Sequence, residues 1–216
     1  YLMTNEFEKR LLTSFLIIPL ALFFIIKGSL FFIFFLVIIF LVSIYEWYKL
    51  TKNLKVPKII GTIFILFSIY SAYQLRNEQG IYVFLFILLI SILTDIGGYI
   101  FGKIFKGPKL TKISPNKTYS GVIGSFFLSI IGSVIYLNLF IGNISLRAEH
   151  MVILVIIFFI SLVSQLGDLI ISVFKRITKI KNTGSILPGH GGLLDRIDGI
   201  IFTIPFSNAI LNYLNF

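Results

Sequence analysis

Between Gly167 and Asp198 the chain reads GDLIISVFKRITKIKNTGSILPGHGGLLDRID. Asp195 and Asp198 stand i, i+3 apart, so a helical turn puts both carboxylates on one face. Two hard oxygen ligands at that spacing suit Mg²⁺, which takes one or two carboxylates together with substrate phosphates and water. The competing role is a pair of acids that stabilises the start of the last helix through its dipole. Lys175, Arg176, Lys179, Lys181 and Arg196 can neutralise several phosphate charges, Arg as a planar fork and Lys as a mobile point charge. A cytoplasmic basic loop can equally meet anionic lipid headgroups. Gly191 and Gly192, in the run Pro188 to Gly192, let backbone amides approach an anion closely. His190 either exchanges protons near neutral pH or holds the loop in shape. Together these residues point to Mg²⁺-dependent phosphoryl or nucleotidyl transfer, which needs positioning and charge neutralisation more than a strong nucleophile.

Two further acids lie inside apolar runs. Asp95, Tyr99 and Gly102 fall at i, i+4 and i+7 on one helix face. An intramembrane acid is costly and faces a bundle interior or a cavity, so Asp95 is either a helix–helix hydrogen-bonding residue or part of a site. Asp168 shares a face with Ser164, Ser172 and Lys175. It either pairs internally with Lys175 or, with Ser161 and Gln165 extending the polar stripe, borders a wet cavity.

The elements that must position these residues are membrane helices. The 216 residues are 57% hydrophobic and 13% charged, against about 45–50% and 25% in soluble domains. Mean hydropathy is +0.98. The absence of cysteine removes disulfides and thiolate chemistry. The net charge of +10 is explained first by topology, because cytoplasmic loops collect Lys and Arg, and no nucleic-acid partner is expected.

Seven spans are predicted: Leu11–Ile26, Leu30–Tyr45, Ile59–Tyr73, Ile81–Phe101, Val122–Ile141, Met151–Phe174 and Gly199–Leu214. Glu46-Trp47-Tyr48 reads as an interfacial aromatic group closing the second. Pro108, Pro115 and the glycines of Gly102–Gly121 exclude a long helix there, and Pro205 is expected to kink the last span. In the alternating segments, Lys27, Arg76 and Arg147 fall on one side and the other 16 of the 19 Lys and Arg on the opposite side. The positive-inside rule then makes the N-terminus cytoplasmic and turns a polar cavity toward the cytoplasm. The expected fold is an all-α integral membrane protein of about seven transmembrane helices. Residues 1–80 form N-terminal spans, and residues 81–216 form a catalytic part with two basic loops.

The pattern Ser172, Lys175-Arg176, Lys181, Pro188-Gly189-His190-Gly191-Gly192, Asp195-Arg196 and Asp198 resembles the signature of phosphatidate cytidylyltransferases (CDP-diacylglycerol synthases). Asp95 with Tyr99 and Gly102, Ser114-Pro115-Asn116-Lys117-Thr118 with Gly121, and Gly167-Asp168 are similar to that family as well. The family pattern has Lys-Asp where this chain has Lys181-Asn182, and an acid where it has Ser120. The resemblance implies transfer of the cytidylyl group of CTP to phosphatidic acid in a bacterial cytoplasmic membrane. It implies Mg²⁺ held by Asp195 and Asp198 with Asp168, and a second, monovalent cation is compatible with it. Lys175, Arg176 and His190 join the two acids as catalytic residues. Ser172, Lys181, Arg196, Lys117, Ser114, Asp95, Gly191 and Gly192 are expected to bind substrate. A homodimer is also implied. The alternatives are a CTP transferase for an isoprenoid or ether lipid phosphate, and an ion-coupled transporter with Asp95 and Asp168 in its path.

Overall fold

The computed structural model describes residues 2–111, 114, 117–140, 148–189 and 191–214; within these, the side chains of residues 2–7, 9, 10 and 148–150 are left aside. The elements are α1 (Leu2–Lys27), α2 (Ser29–Leu50), α3 (Lys55–Glu78), α4 (Gly80–Phe105), α5 (Tyr119–Phe140), α6 (Ala148–Ile177), α7 (Leu194–Ile197) and α8 (Ile200–Tyr213). Among the described residues the only β pairing is two isolated bridges, Lys109 with Thr118 and Leu187 with Gly191. In lipid a helix satisfies its own backbone polar groups, which is why apolar runs of this length fold this way.

Helices α2, α3, α4, α5 and, from Met151 onward, α6 are long and apolar enough to cross a membrane. Their outward faces carry large apolar side chains, among them Leu30, Ile63, Ile123 and Leu139. The protein is an integral membrane protein. The apolar part of α1 (Leu11–Lys27) and α8 are shorter. At 1.5 Å per residue α8 spans about 21 Å, against a hydrocarbon core of about 30 Å.

Two units divide the chain. The first holds Tyr1–Tyr73 and Phe174–Ile197. Gly28, at φ 65°, makes the turn between α1 and α2, and Phe23 and Phe24 of α1 pack on Phe31, Phe34 and Phe35 of α2. Trp47, expected at an interface, is 4% exposed. Its Nε1–H donates to the Lys58 carbonyl at 3.2 Å, and its ring meets Phe174 edge-on at 5.0 Å. Gly61 leaves room for the indole, which a Cβ there would strike.

The second unit holds Gln74–Val173 and Asp198–Phe216. Helices α4 and α5 meet through Gly97, Gly98, Gly121 and Gly124; a Cβ on Gly97 would lie 2.5 Å from the Gly124 carbonyl oxygen. Small residues let membrane helices approach closely enough for dispersion and hydrogen bonds to hold them. Here the Ser125 hydroxyl donates to the Thr94 carbonyl at 2.7 Å, Thr94 Oγ1 donates to Ser161 Oγ at 2.8 Å, and Ser91 pairs with Thr203 at 2.9 Å. The break expected between Gly102 and Gly121 is present as the segment between Phe105 and Tyr119.

Candidate active site

In the second unit a cavity of about 590 Å³ opens beside α4, α5 and α6, lined by Asp95, Tyr99, Ser114, Lys117, Gln165 and Asp168 together with apolar residues such as Leu110, Leu162 and Leu169. Lys117 reaches it from the segment before α5. Its ammonium pairs with Asp168 Oδ2 at 2.6 Å and donates to the Gln165 carbonyl at 3.3 Å. Ser172 Oγ donates to the other carboxylate oxygen of Asp168 at 3.3 Å. Of the two sequence readings of Asp168, the structure supports the cavity: the partner is Lys117, not Lys175. Asp95 is exposed on the cavity wall, and its neighbour Thr94 joins the helices at that level, its hydroxyl to Ser161 and its carbonyl to Ser125.

The segment that carries Lys117 is shaped by short polar contacts. The Ser114 amide donates to Thr111 Oγ1 at 3.1 Å, and the Lys117 amide to the Ser114 carbonyl at 3.1 Å. The Ser120 hydroxyl donates to the Lys106 carbonyl at 2.9 Å and pairs with Thr118 at 3.0 Å. Ser120, where the resembling family has an acid, therefore closes the base of this segment. Gly167 has no space for a side chain: a Cβ would meet the Phe202 ring and, at 2.8 Å, the Asp198 carbonyl oxygen. The chain entering α8 thus lies against the turn of α6 that bears Asp168. Asp198 is 6% exposed, and its Oδ1 accepts the Gly199 amide at 2.9 Å.

The first unit holds the glycine-rich loop. Asp195 lies in the first turn of α7. Its Oδ1 takes a hydrogen bond from Lys175 at 2.9 Å, and its Oδ2 accepts the amides of Thr183 at 2.9 Å and Gly192 at 3.2 Å. The carboxylate thereby holds the two ends of the loop together. Gly191, at φ 90°, bonds back to Leu187 in both directions. Gly189, also at positive φ, makes the turn. Arg176, Lys181 and Arg196 are exposed, as is Asn182. His190 lies outside the described residues.

Sequence reasoning missed Glu46. This residue near the end of α2 is fully buried. Its Oε1 accepts the Leu193 amide at 3.0 Å, and its Oε2 accepts the Leu194 amide at 2.8 Å and Thr183 Oγ1 at 3.0 Å. The one available signal was its position: an acid before Trp47 at the end of a strongly apolar run, where a charge is retained only if it is paired.

Chemically, both regions offer hard oxygen and cationic groups. Among the described residues no set of three or more Asp, Glu, His or Cys side chains gathers as a metal cage. Carboxylates such as Asp168 and Asp198 fit a cation that completes its shell with phosphate oxygens and water. They do not fit a structural metal enclosed by protein ligands.

The family model described as the cytidylyltransferase family matches residues 58–214. A phosphatidate cytidylyltransferase of Staphylococcus saprophyticus is 42% identical over 140 residues, 64% of this chain and 52% of that protein. One from Staphylococcus aureus (strain COL) is 43% identical, and one from Staphylococcus haemolyticus 41%, with the same coverage. The chain spans about half the length of the curated relatives it matches. With the match running from the start of α3 to the end of α8, through both the cavity and the glycine-rich loop, the chain belongs to the cytidylyltransferase family.

Proposed function

We propose that this protein transfers the cytidylyl group of CTP to phosphatidic acid. A phosphatidate oxygen would bond to the α-phosphorus of CTP and the bond to the β-phosphate oxygen would break, giving CDP-diacylglycerol and pyrophosphate. The observation that carries this reading is the Lys117–Asp168 pair, an ammonium and a carboxylate 2.6 Å apart, on the wall of a cavity whose remaining lining is largely apolar. A lipid phosphate needs both kinds of surface. Lys117 would bind a phosphate oxygen, with Ser114 and Asp95 on the same cavity lining. Lys175, Arg176, Lys181 and Arg196 would neutralise the triphosphate; Gly191 and Gly192, expected to offer their amides, give them to Leu187 and Asp195 instead and would shape the loop beside it. Ser172 would keep Asp168 oriented. His190 would hold or move a proton at the loop.

Asp195, Asp198 and Asp168 would hold Mg²⁺, with a monovalent cation as a second ion. When bound, it would supply charge neutralisation at the transferred phosphoryl group. Of the three, Asp195 gives Oδ2 to two amides, so its Oδ1, now facing Lys175, is the oxygen it would offer.

The proposal includes topology. Seven helices would cross the membrane, α1 and α8 among them, with the N-terminus and both basic loops cytoplasmic, because 16 of the 19 Lys and Arg then share one side. CTP arrives from that side, and the lipid phosphate lies at that surface. Residues 1–80 would serve as anchoring spans and 81–216 as the catalytic part, in a homodimer.

The deciding test is pyrophosphate release by the purified chain with CTP, Mg²⁺ and a panel of lipid phosphates. Turnover that requires phosphatidate is expected. Turnover only with an isoprenoid or ether lipid phosphate would replace the acceptor, and CTP-independent ion flux in vesicles without pyrophosphate would replace the class.

A further inference from the structure

We infer that Glu46 is the positioning residue of the glycine-rich loop, an interior anchor that sets where Lys175 and Asp195 stand. Which reaction the loop serves rests on the function proposed above; the anchoring itself does not.

Glu46 is fully buried, and a buried carboxylate is tolerated only where donors converge on it. Three do, from Thr183 Oγ1 and the amides of Leu193 and Leu194, at 2.8–3.0 Å. All three donate and none accepts, which suits an acceptor-only group; a carboxamide would turn its own N–H₂ toward one of them.

The loop is also shaped around this carboxylate. A Cβ on Gly184 or on Gly192 would run into the Glu46 carboxylate, and on Gly192 into Thr183 Oγ1 as well. Two of the loop's glycines are therefore required by the space Glu46 occupies. Thr183 connects the anchors: its hydroxyl binds Glu46 while its amide binds Asp195. Gly192 does the same in space, packed on Glu46 with its amide on Asp195. Asp195 in turn holds Lys175. Loss of the interior anchor frees both backbone donors that fix Asp195. On the far side of the loop, Thr13 Oγ1 of α1 donates to the Pro188 carbonyl at 3.0 Å, so the segment is pinned at its tip as well as its ends.

The experiment uses the chain in detergent micelles, with hydrogen exchange resolved by segment and turnover of CTP with phosphatidate. Glu46→Gln and Thr183→Ala are compared with wild type and Thr183→Ser. Glu46→Gln is expected to speed exchange across residues 183–194 by roughly tenfold or more, the scale of one lost hydrogen bond to a charged group, without a change in α4 or α5. It should lower kcat/KM for CTP by a similar factor. Thr183→Ala should do both more weakly, and Thr183→Ser should restore both. Because they share one network, Glu46→Gln and Thr183→Ala should combine less than additively.

Unchanged exchange in 183–194 in both variants would overturn the anchor. Exchange that rises equally in α4 and α5 in both variants would overturn it too, by showing general destabilisation. A loosened loop with unaltered turnover would overturn the positioning role. If wild type itself turns over no phosphatidate, the proposed reaction fails while the exchange measurements still judge Glu46.

Discussion

The glycine-rich loop and the α4–α5–α6 cavity use the same residue types for different ends. In the loop, Asp195 and Glu46 face mainly backbone amides. Those donors cannot leave without moving the chain, so the carboxylates fix a shape. In the cavity, Asp168 faces a lysine and a serine hydroxyl, and both it and Lys117 keep about a quarter of their side-chain surface exposed. Those partners sit on rotatable side chains and, in the proposed reaction, would be exchanged for a substrate. An aspartate inside a membrane protein is thus defined by what donates to it, backbone or side chain, more than by its place in a motif.

The largest effects should come from neutralising one acid in each region. Asp168→Asn and Asp195→Asn are both expected to lower turnover by about 10²-fold or more, the scale of losing one charge-stabilising group. They should differ in stability. Asp195→Asn turns an amide N–H₂ toward donors and should cost about 1–3 kcal/mol, seen as a lower Tm in detergent, whereas Asp168→Asn should leave Tm nearly unchanged. Equal Tm losses would break the distinction between fixed and exchangeable carboxylates.

Lys117→Met tests the cavity alone. A hydrogen bond to a charged phosphate is worth about 1.5–3 kcal/mol, so kcat/KM should fall roughly 10- to 100-fold. The fold should hold, because a partly exposed ion pair adds little to stability. Loss of folded protein would show the pair to be structural.

Glycines sharpen the contrast further. Gly192→Ala forces a methyl into Glu46 and Thr183 and should cost about 1–3 kcal/mol. Among the described residues Gly102→Ala meets only the Thr118 hydroxyl at 3.1 Å and the Gly121 Cα at 3.7 Å, so its Tm loss should be clearly smaller. The smallest effect is expected from Asn182→Asp, which restores the family's acid at an exposed position; turnover should shift by roughly twofold, the range of surface changes near 0.5 kcal/mol. A larger gain would identify Asn182 as a real weakening of cation or nucleotide binding.

Much of this molecule could be read from its sequence because lipid imposes a one-dimensional rule. Apolar runs long enough to cross must be helices, and the seven predicted runs are helical, as α1 to α6 and α8, within a few residues at most ends; five of these helices are long and apolar enough to cross. The break around Pro108 followed from local chemistry alone. The candidacy of Asp168 and of the glycine-rich loop followed likewise, since polar groups beside membrane helices need a reason to be there, whereas Lys117 was singled out only by the family resemblance. Partners were not legible. Lys175 stands seven residues from Asp168 and on its helix face, yet each pairs elsewhere, with Asp195 and Lys117. Glu46 read as part of an aromatic border, although its three donors lie 137 to 148 residues away. Composition and periodicity determined the helices, the membrane and the residues able to do chemistry, because those depend on burial and local spacing. Only the tertiary structure decided which donor meets which carboxylate, because that depends on contacts between segments far apart in the chain, and at Glu46 those contacts separate a shape-holding acid from one free to meet a substrate.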